Sequence, residues 1–309
     1  MYLQKINLKN KYALVTGAGK GLGRACSIAL AEAGATIIAL SRTQSDLDKL
    51  EKEIKKIKGK VIKVNCDVMN YEDLKEKLDK IKIIDILVNN AGTNIPEPFE
   101  KIKQENMNYL VDLNLKAAFN VAQLVVKKML KNKKRGGSII NMSSQLGHVG
   151  MSGRNVYNMT KFGIEGLTKG MGVELAKNNI RVNTVAPTFV ATPMVKRFFK
   201  NKEFRKLALS NIPMGKLATE SDVNVTLIGA YDGVQGAATY GGDIMVLNDL
   251  IGNNANINFT GTFAGLTDAY QTLMTSNNSF AASTWIRAYN TIDRCNNVLS
   301  ALDKVTSSP

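Results

Sequence analysis

Two side chains in the middle of the chain could together exchange a proton with a bound molecule. Tyr157 and Lys161 are four residues apart, so they share one face if this segment is helical. A free phenol has a pKa near about 10, which is too high for easy proton exchange at neutral pH. A neighbouring ammonium group favours the phenolate and should lower the pKa of Tyr157. The phenol could then donate a proton to a carbonyl oxygen, or accept one from an alcohol.

A glycine-rich segment near the amino terminus could hold a phosphate-bearing molecule. It reads Thr16-Gly17-Ala18-Gly19-Lys20-Gly21-Leu22-Gly23. It follows an apolar run, Tyr12–Thr16, and opens a helix that we predict from Gly21 to about Ala33. Glycines let the backbone turn tightly and approach a pyrophosphate, and the helix N-terminus offers free N–H groups to the anion. The pattern indicates a dinucleotide site, although glycines at such a place also serve simply to make a turn.

Short apolar runs alternate with amphipathic stretches through the first two thirds of the chain. After Tyr12–Thr16, further strands are predicted at Thr36–Ser41, Val61–Asn65, Ile84–Val88, Ser138–Met142 and Arg181–Val185. Helical patterns lie between them, as in the lysine- and glutamate-rich stretch Ser45–Ile57. Strands that alternate with helices pair in parallel through right-handed crossovers. The sequence therefore predicts an α/β fold with a doubly wound, Rossmann-type parallel sheet and helices on both faces.

The glycine spacing is Gly-x-x-x-Gly-x-Gly, and several further motifs follow the predicted strands in order. They are Asn89-Asn90-Ala91-Gly92, Asn114, Ser144, Tyr157-x-x-x-Lys161, Pro187 and Thr192. Taken together, these motifs resemble those of the short-chain dehydrogenase/reductase family. The resemblance covers about residues 3–223, and the joint occurrence of the motifs is highly specific.

The resemblance implies an NAD(P)(H)-dependent oxidoreductase that interconverts a carbonyl and a secondary alcohol by hydride transfer. Tyr157 would be the general acid/base, and Lys161 would also bind the nicotinamide ribose. Ser144 would hydrogen-bond the substrate oxygen, and Asn114 would support a water chain that returns the proton. The expected partner is a small carbonyl or alcohol substrate.

The resemblance also implies a set of cofactor-binding residues, among which Asp67 matches an acid that contacts adenine. The set is Gly17, Lys20, Gly21, Leu22, Gly23, Arg42, Asp67, Val68, Asn89, Ala91, Gly92, Tyr157, Lys161, Pro187 and Thr192. No metal site is expected. The three cysteines are isolated in the sequence, which fits a reducing compartment rather than a zinc site.

The choice between NAD and NADP depends on the end of the second strand, which reads Leu40-Ser41-Arg42. An acid at this place would bind the ribose hydroxyls of NAD and repel a 2′-phosphate. Arg42 can instead form a forked contact with a phosphate, and Lys20 can reach the same group. The sequence therefore favours NADP(H). NAD(H) is the alternative if both cations are only solvated surface charges.

The net charge of +15 could indicate binding to nucleic acid. However, the lysines lie on the polar faces of predicted helices and are not interleaved with aromatic residues, so no nucleic-acid partner is expected. No run of about 18 apolar residues exists, which predicts that nothing spans a membrane. Residues 1–11 lack the apolar core of a signal peptide, so we expect a cytoplasmic protein.

Composition changes abruptly near Val223, where lysine nearly vanishes and glutamate disappears. From about Asn224 the chain resembles the N-terminal part of the SusD/RagB-like family of glycan-binding lipoproteins. The residues that carry this resemblance are Gly229-Ala230-Tyr231-Asp232, Asp249, Trp285, Tyr289 and Ile292-Asp293-Arg294-Cys295-Asn296-Asn297-Val298-Leu299. It implies two domains, residues 1–223 and a mostly helical segment 224–309. It also opens an alternative function, carbohydrate binding or protein interaction through the tail.

This junction would leave the first domain without its final strand and expose a sheet edge. The chain could then be an inactive chimeric fusion. A competing interpretation makes Val225–Ala230 the closing helix and Asp243–Leu247 the seventh strand. Oligomers of the family usually pack through this region, so a homo-oligomer is typical of the family but doubtful here.

Overall fold

The computed structural model describes residues 7–131, 136–210, 212, 216–220 and 223. These residues belong to one unit of the chain, which extends to Asn224. The predictions made for residues 224–309 lie outside the described residues. They include the SusD-like motifs, the boundary of a second domain and the seventh strand at Asp243–Leu247.

Six strands form one parallel sheet in the order β3-β2-β1-β4-β5-β6. Their bounds are β1 Tyr12–Thr16, β2 Thr36–Ser41, β3 Lys60–Asn65, β4 Ile86–Asn89, β5 Gly137–Met142 and β6 Ile180–Val185. The doubly wound α/β fold predicted from the sequence is confirmed. All six predicted strands are present, and their ends differ from the prediction by at most two residues.

Helices connect successive strands, and the last two described helices follow β6. The helices are α1 Gly21–Glu32, α2 Gln44–Lys56, α3 Tyr71–Asp79, α4 Gln104–Val111, α5 Ala117–Lys131, α6 Asn155–Leu175, α7 Pro193–Phe198 and α8 Lys202–Ser210. A π-helical turn, Asp112–Lys116, joins α4 to α5. Short 3₁₀ turns lie at Phe99–Lys101, Gln145–Gly147 and Ala176–Asn178. Within the described residues, no helix is both long and apolar enough to cross a membrane.

The central strands are apolar because helices cover both faces of the sheet. Leu14 of β1, Ile38 of β2 and Leu87 of β4 are fully buried. Asp85 interrupts the apolar run ahead of β4, and its carboxylate accepts the backbone N–H of Tyr12 at 2.9 Å. This buried acid therefore fixes the start of β1 beside β4.

The strand order reverses at β1, which lies between β2 and β4. Crossovers leave β1 and β4 toward opposite sides of the sheet, so a crevice opens beyond their carboxyl ends. The glycine loop follows β1 directly, and Asn89 ends β4. The topology therefore brings the predicted motifs to one edge of the sheet.

Candidate active site

A cleft of about 460 Å³ opens at this edge of the sheet. Fourteen of the seventeen site residues predicted from the sequence line this cleft. The predicted residues on its walls are Gly17, Lys20, Gly21, Leu22, Arg42, Asp67, Val68, Ala91, Gly92, Ser144, Tyr157, Lys161, Pro187 and Thr192.

 The other three predicted residues are buried behind these walls; they are Gly23, Asn89 and Asn114.

The glycine loop leaves room and hydrogen-bond donors for an anion. Gly17 and Gly21 have φ angles of +63° and +52°, which favour glycine. A Cβ atom on Gly17 would lie 2.9 Å from the Asn90 amide nitrogen, so the backbone can pass this closely only without a side chain. Helix α1 begins at Gly21 with no side-chain cap and no acid in its first turn. Its free N–H groups and its dipole therefore suit a pyrophosphate, and the loop fits a dinucleotide.

Gly23 was predicted to bind the cofactor, and this stays a prediction. It lies beneath the loop, where a Cβ atom would overlap the backbone oxygen of Gly17 and the side-chain amide of Asn90. Its small size lets α1 pack against the turn that precedes it. Gly23 thus supports the shape of the loop without lining the cleft.

Asn89 was also predicted to bind the cofactor, and this stays a prediction for its backbone, because its side chain does not line the cleft. Its amide is buried and donates to the backbone oxygen of Ala118 at 2.8 Å. Successive side chains of a strand point to opposite faces, so the next residue points the other way. Asn90 lines the cleft, and its amide donates to the oxygen of Thr16 at 3.0 Å.

The two cations predicted to choose the cofactor both face carboxylates. Lys20 is 69% exposed, and its Nζ lies 3.0 Å from Oδ2 of Asp46, which is 8% exposed. Arg42 Nη1 lies 3.9 Å from Oδ2 of Asp67. A hydrogen bond to the hydroxyl of Tyr109 raises the pKa of Arg42, and the carboxylate of Asp67 adds to this. Sequence reasoning missed Asp46 and Tyr109, which also line the cleft.

At the other end of the cleft, α6 carries Tyr157 and Lys161 on one face. Lys161 is only 6% exposed, and its Nζ donates to the backbone oxygen of Met142 at 2.6 Å. The same Nζ lies 5.6 Å from the centre of the Tyr157 ring. Burial lowers the pKa of Lys161 to about 8, and the charge of Glu165 opposes this shift. The structure therefore confirms that the two side chains lie together.

The predicted direction of the Tyr157 shift was wrong. Burial raises the pKa of Tyr157, and it outweighs a hydrogen bond from Ser144 and the positive charge of Arg154, which both lower this pKa. The sequence spacing revealed the ammonium of Lys161 but not the loss of solvent around the phenol. Arg154, which precedes Tyr157 by three residues, is the cation that acts on the phenol.

Ser144 and Asn114 take different places relative to the phenol. The Ser144 hydroxyl hydrogen-bonds Tyr157 and accepts the N–H of Leu146 at 3.2 Å. Asn114 lies in the π-helical turn and is buried behind the cleft. Its side chain accepts the N–H of Thr93 at 2.9 Å and donates to the hydroxyl of Thr160 at 3.3 Å. Asn114 therefore holds the loop after β4 against α6.

Cys66 also lines the cleft, although no motif indicated it. Burial raises the pKa of this thiol to about 12, so it stays protonated at neutral pH and is a poor nucleophile. Within the described ranges, no group of three or more His, Cys, Asp or Glu residues could hold a metal ion.

Known proteins of one family are similar to this chain over most of its length. Residues 11–203 match the family described as short chain dehydrogenase. The 3-oxoacyl-[acyl-carrier-protein] reductase FabG of Thermotoga maritima is 39% identical over 222 residues, which are 71% of this chain and 89% of that protein. D-erythrulose reductase of Gallus gallus is 35% identical over 242 residues, or 78% of this chain and 96% of that protein.

Solved structures show the same architecture. A gluconate 5-dehydrogenase from Burkholderia cenocepacia, in complex with NADP and tartrate, superposes with a TM-score of 0.70 at 28% identity. The match covers 74% of this chain and 90% of that structure. The chain belongs to the short-chain dehydrogenase/reductase family, whose members carry out NAD(P)-dependent oxidation and reduction.

Proposed function

We propose that this protein is an NADP(H)-dependent oxidoreductase that interconverts a carbonyl and a secondary alcohol, with Tyr157 as the general acid/base. One observation carries the proposal. Tyr157, Ser144 and Lys161 meet at one end of a cleft whose other end is the open N-terminus of α1. A dinucleotide bound along the cleft would reach from that helix to the phenol.

In the reducing direction, a nicotinamide cofactor held in this cleft would supply the hydride that the substrate carbon needs. Tyr157 donates a proton to the substrate oxygen, and its raised pKa keeps the phenol protonated at neutral pH. Ser144 lies beside the same phenol, and its single O–H proton would turn from the phenol to the substrate oxygen and orient it. Lys161 is held by Met142 where it can bind the nicotinamide ribose.

The end of β2 supports NADP(H) over NAD(H). Residues 41–43 are Ser, Arg and Thr, and the side chains of all three line the cleft. Helix α2 begins after Thr43, whose side chain makes no capping hydrogen bond, so the first N–H groups of the helix can donate hydrogen bonds to a phosphate. Asp46 would repel a phosphate, but Lys20 neutralises it. Lys20 and Arg42 together balance Asp46 and Asp67, so a 2′-phosphate at this end would meet no net negative charge.

The substrate class follows from the relatives. D-erythrulose reductase takes a small hydroxylated ketone by its name, and gluconate 5-dehydrogenase takes a sugar acid. We therefore propose a small, polar carbonyl substrate, with the corresponding secondary alcohol as product.

Turnover and cofactor binding test the proposal. The purified full chain should oxidise NADPH in the presence of a panel of small ketones, with weaker binding of NADH measured by calorimetry. Tyr157→Phe should lose about 10²–10⁴-fold in turnover, the usual contribution of a general acid, while NADPH still binds. Tyr71→Phe, in α3, is the matched control. A Tyr157→Phe variant with near-normal turnover would overturn the assignment, and tighter binding of NADH would overturn the cofactor choice.

The function proposed from the tail has no support from the described residues. Carbohydrate binding depends on residues 224–309, so it stays a prediction. A match that covers 78% of 309 residues extends past Val223, which favours the interpretation that the domain continues beyond the proposed junction. Turnover by the full chain would also exclude an inactive fusion.

A further inference from the structure

Arg154 is a buried cation that the reaction outlined above does not use. It is the N-cap residue of α6 and is only 7% exposed. It stands three residues before Tyr157, so the two side chains share one face of the helix about one turn apart. The positive charge of Arg154 lowers the pKa of Tyr157.

Aromatic rings of the last two described helices surround the Arg154 guanidinium. Its central carbon lies 4.9 Å from the centre of the Phe198 ring and 5.6 Å from that of Phe204. Phe204 in turn packs edge-to-face against Phe189 and Phe199 at about 6 Å. Ring faces attract a cation but do not replace the oxygen acceptors that five N–H donors require.

Among the described residues, Arg154 forms no ion pair. Glu97 lies close to this residue, since its backbone N–H donates to the oxygen of Gly153 at 3.1 Å, but its carboxylate accepts from Asn106 at 2.9 Å. Burial accordingly lowers the pKa of Arg154. A buried guanidinium without an anion is costly to maintain, and binding an anion would relieve that cost.

We propose that Arg154 binds a carboxylate of the substrate, so that the preferred substrate is a small oxo acid or hydroxy acid. This inference rests on the proposed function and names its substrate class. A rise of about 1.5 Å per residue sets Arg154 about 4.5 Å along the axis from Tyr157, which suits a carboxylate a few bonds from the reacting carbon.

A carboxylate can reach Arg154 only if a side chain of α7 moves. Arg154 lies next to the cleft rather than on its wall, against Phe198 of α7. Val195 and Arg197 of the same helix line the cleft. Arg197 is exposed and already solvated, so it gains less than Arg154 from contact with an anion. The Phe198 ring must turn aside as the carboxylate reaches the guanidinium.

Matched substrates test the proposal. Oxo acids of increasing chain length are compared with their amides, which keep the reacting carbonyl and lose the charge. The wild type should prefer the acid in kcat/KM by about 10- to 100-fold, the usual strength of a charge-assisted hydrogen bond. Arg154→Met should abolish this preference mainly through KM for the acid, and Arg154→Lys should keep part of it. Dihydroxyacetone phosphate and dihydroxyacetone form a second pair, which reports whether the site takes phosphate instead.

The control is Lys169→Met, which removes an exposed positive charge from the same helix and should leave the preference unchanged. Equal use of acid and amide by the wild type would overturn the proposal, as would a preference for the phosphate pair alone. An equal loss on both substrates in Arg154→Met would show a structural role only.

Failure of the proposed function looks different, because neither acid nor amide would then support NADPH oxidation. Calorimetry with the oxo acid and its amide in the presence of NADPH repeats the comparison without turnover. If the protein shows no turnover, binding still tests the role of Arg154, because that role requires the oxo acid to bind more tightly than its amide.

Discussion

The two ends of the cleft handle charge in opposite ways. At the β2 end, Lys20 is 69% exposed and faces Asp46, while Arg42 faces Asp67. At the α6 end, Lys161 is 6% exposed and bonds to a backbone oxygen, while Arg154 lies over aromatic rings. A solvent-exposed ion pair loses little solvation when a bound cofactor replaces one of its partners, so substitutions there should change the affinity for the cofactor. Buried charged groups have shifted pKa values, so substitutions among them should change the reaction rate and its pH dependence.

This difference predicts that substitutions at the α6 end change rates and pH dependence, whereas those at the β2 end change cofactor affinity. The predictions below test that division, starting with the largest effect. Each compares a variant with a control in which a similar side chain is changed elsewhere.

Ser144→Ala should reduce turnover by about 10²–10³-fold, the usual loss when one hydrogen-bond donor to a reacting oxygen is removed. The hydrogen bond from Ser144 lowers the pKa of Tyr157, so its removal should also move the rising limb of the pH profile for alcohol oxidation to higher pH. Steady-state kinetics across pH checks both effects. Ser27→Ala, a buried serine in α1, is the control. An unchanged pH profile would contradict the proposed contact.

Arg42→Leu should weaken NADPH binding by about 10- to 100-fold, because it removes a charged donor to the 2′-phosphate. NADH binding should stay nearly constant, since NADH lacks that phosphate. Fluorescence titration with both cofactors measures the ratio. Arg181→Leu serves as the control from β6. Equal losses for both cofactors would assign Arg42 a structural role through Tyr109 rather than a role in selectivity.

The β2 end was largely predictable from local sequence patterns. The glycine loop, the six strands and Arg42 after β2 each follow from residues close together in the chain. The orientation of the Asn89 side chain was harder to predict, because the amides of Asn89 and Asn90 point to opposite faces at the end of β4. Spacing alone does not tell which of them faces the cleft.

The α6 end was less predictable, because its chemistry depends on what surrounds each group. The i,i+4 spacing placed Lys161 beside Tyr157, but the direction of the Tyr157 shift depends on burial by distant segments. The rings around Arg154 come from α7 and α8, far along the chain. Asp46 was missed for a similar reason, since its contact with Lys20 joins two helices.

Lys161→Met should change how stability depends on pH. Burial lowers the pKa of Lys161 from 10.5 to about 8, so between these values the unfolded chain binds the proton and the folded protein does not. The free energy of unfolding of the wild type therefore gains up to about 1.4 kcal/mol per pH unit across this window, and the burial cost is fully present below it. Methionine lacks this dependence.

Urea denaturation at several pH values across the window checks the sign. The difference in unfolding free energy between Lys161→Met and the wild type should favour the variant most below pH about 8 and shrink as the pH rises toward 10.5. Lys169→Met, on the exposed side of α6, is the control. A difference that grows with pH would contradict the lowered pKa of Lys161.

The smallest expected effect is that of Asp46→Asn, which tests whether Asp46 opposes phosphate binding or binds the ribose hydroxyls. Asp46→Asn removes a carboxylate from the cleft and frees Lys20 from its ion pair. NADPH binding should become a few-fold tighter, in proportion to the modest strength of ion pairs with an exposed partner. Asp48→Asn, an exposed acid on the same helix that pairs with Lys63, is the control and should leave binding unchanged. If Asp46→Asn instead weakened NADH binding and left NADPH unaffected, Asp46 would be a ligand of the ribose hydroxyls. The β2 end would then select NAD(H), and its positive charge would serve only to balance the acids beside it.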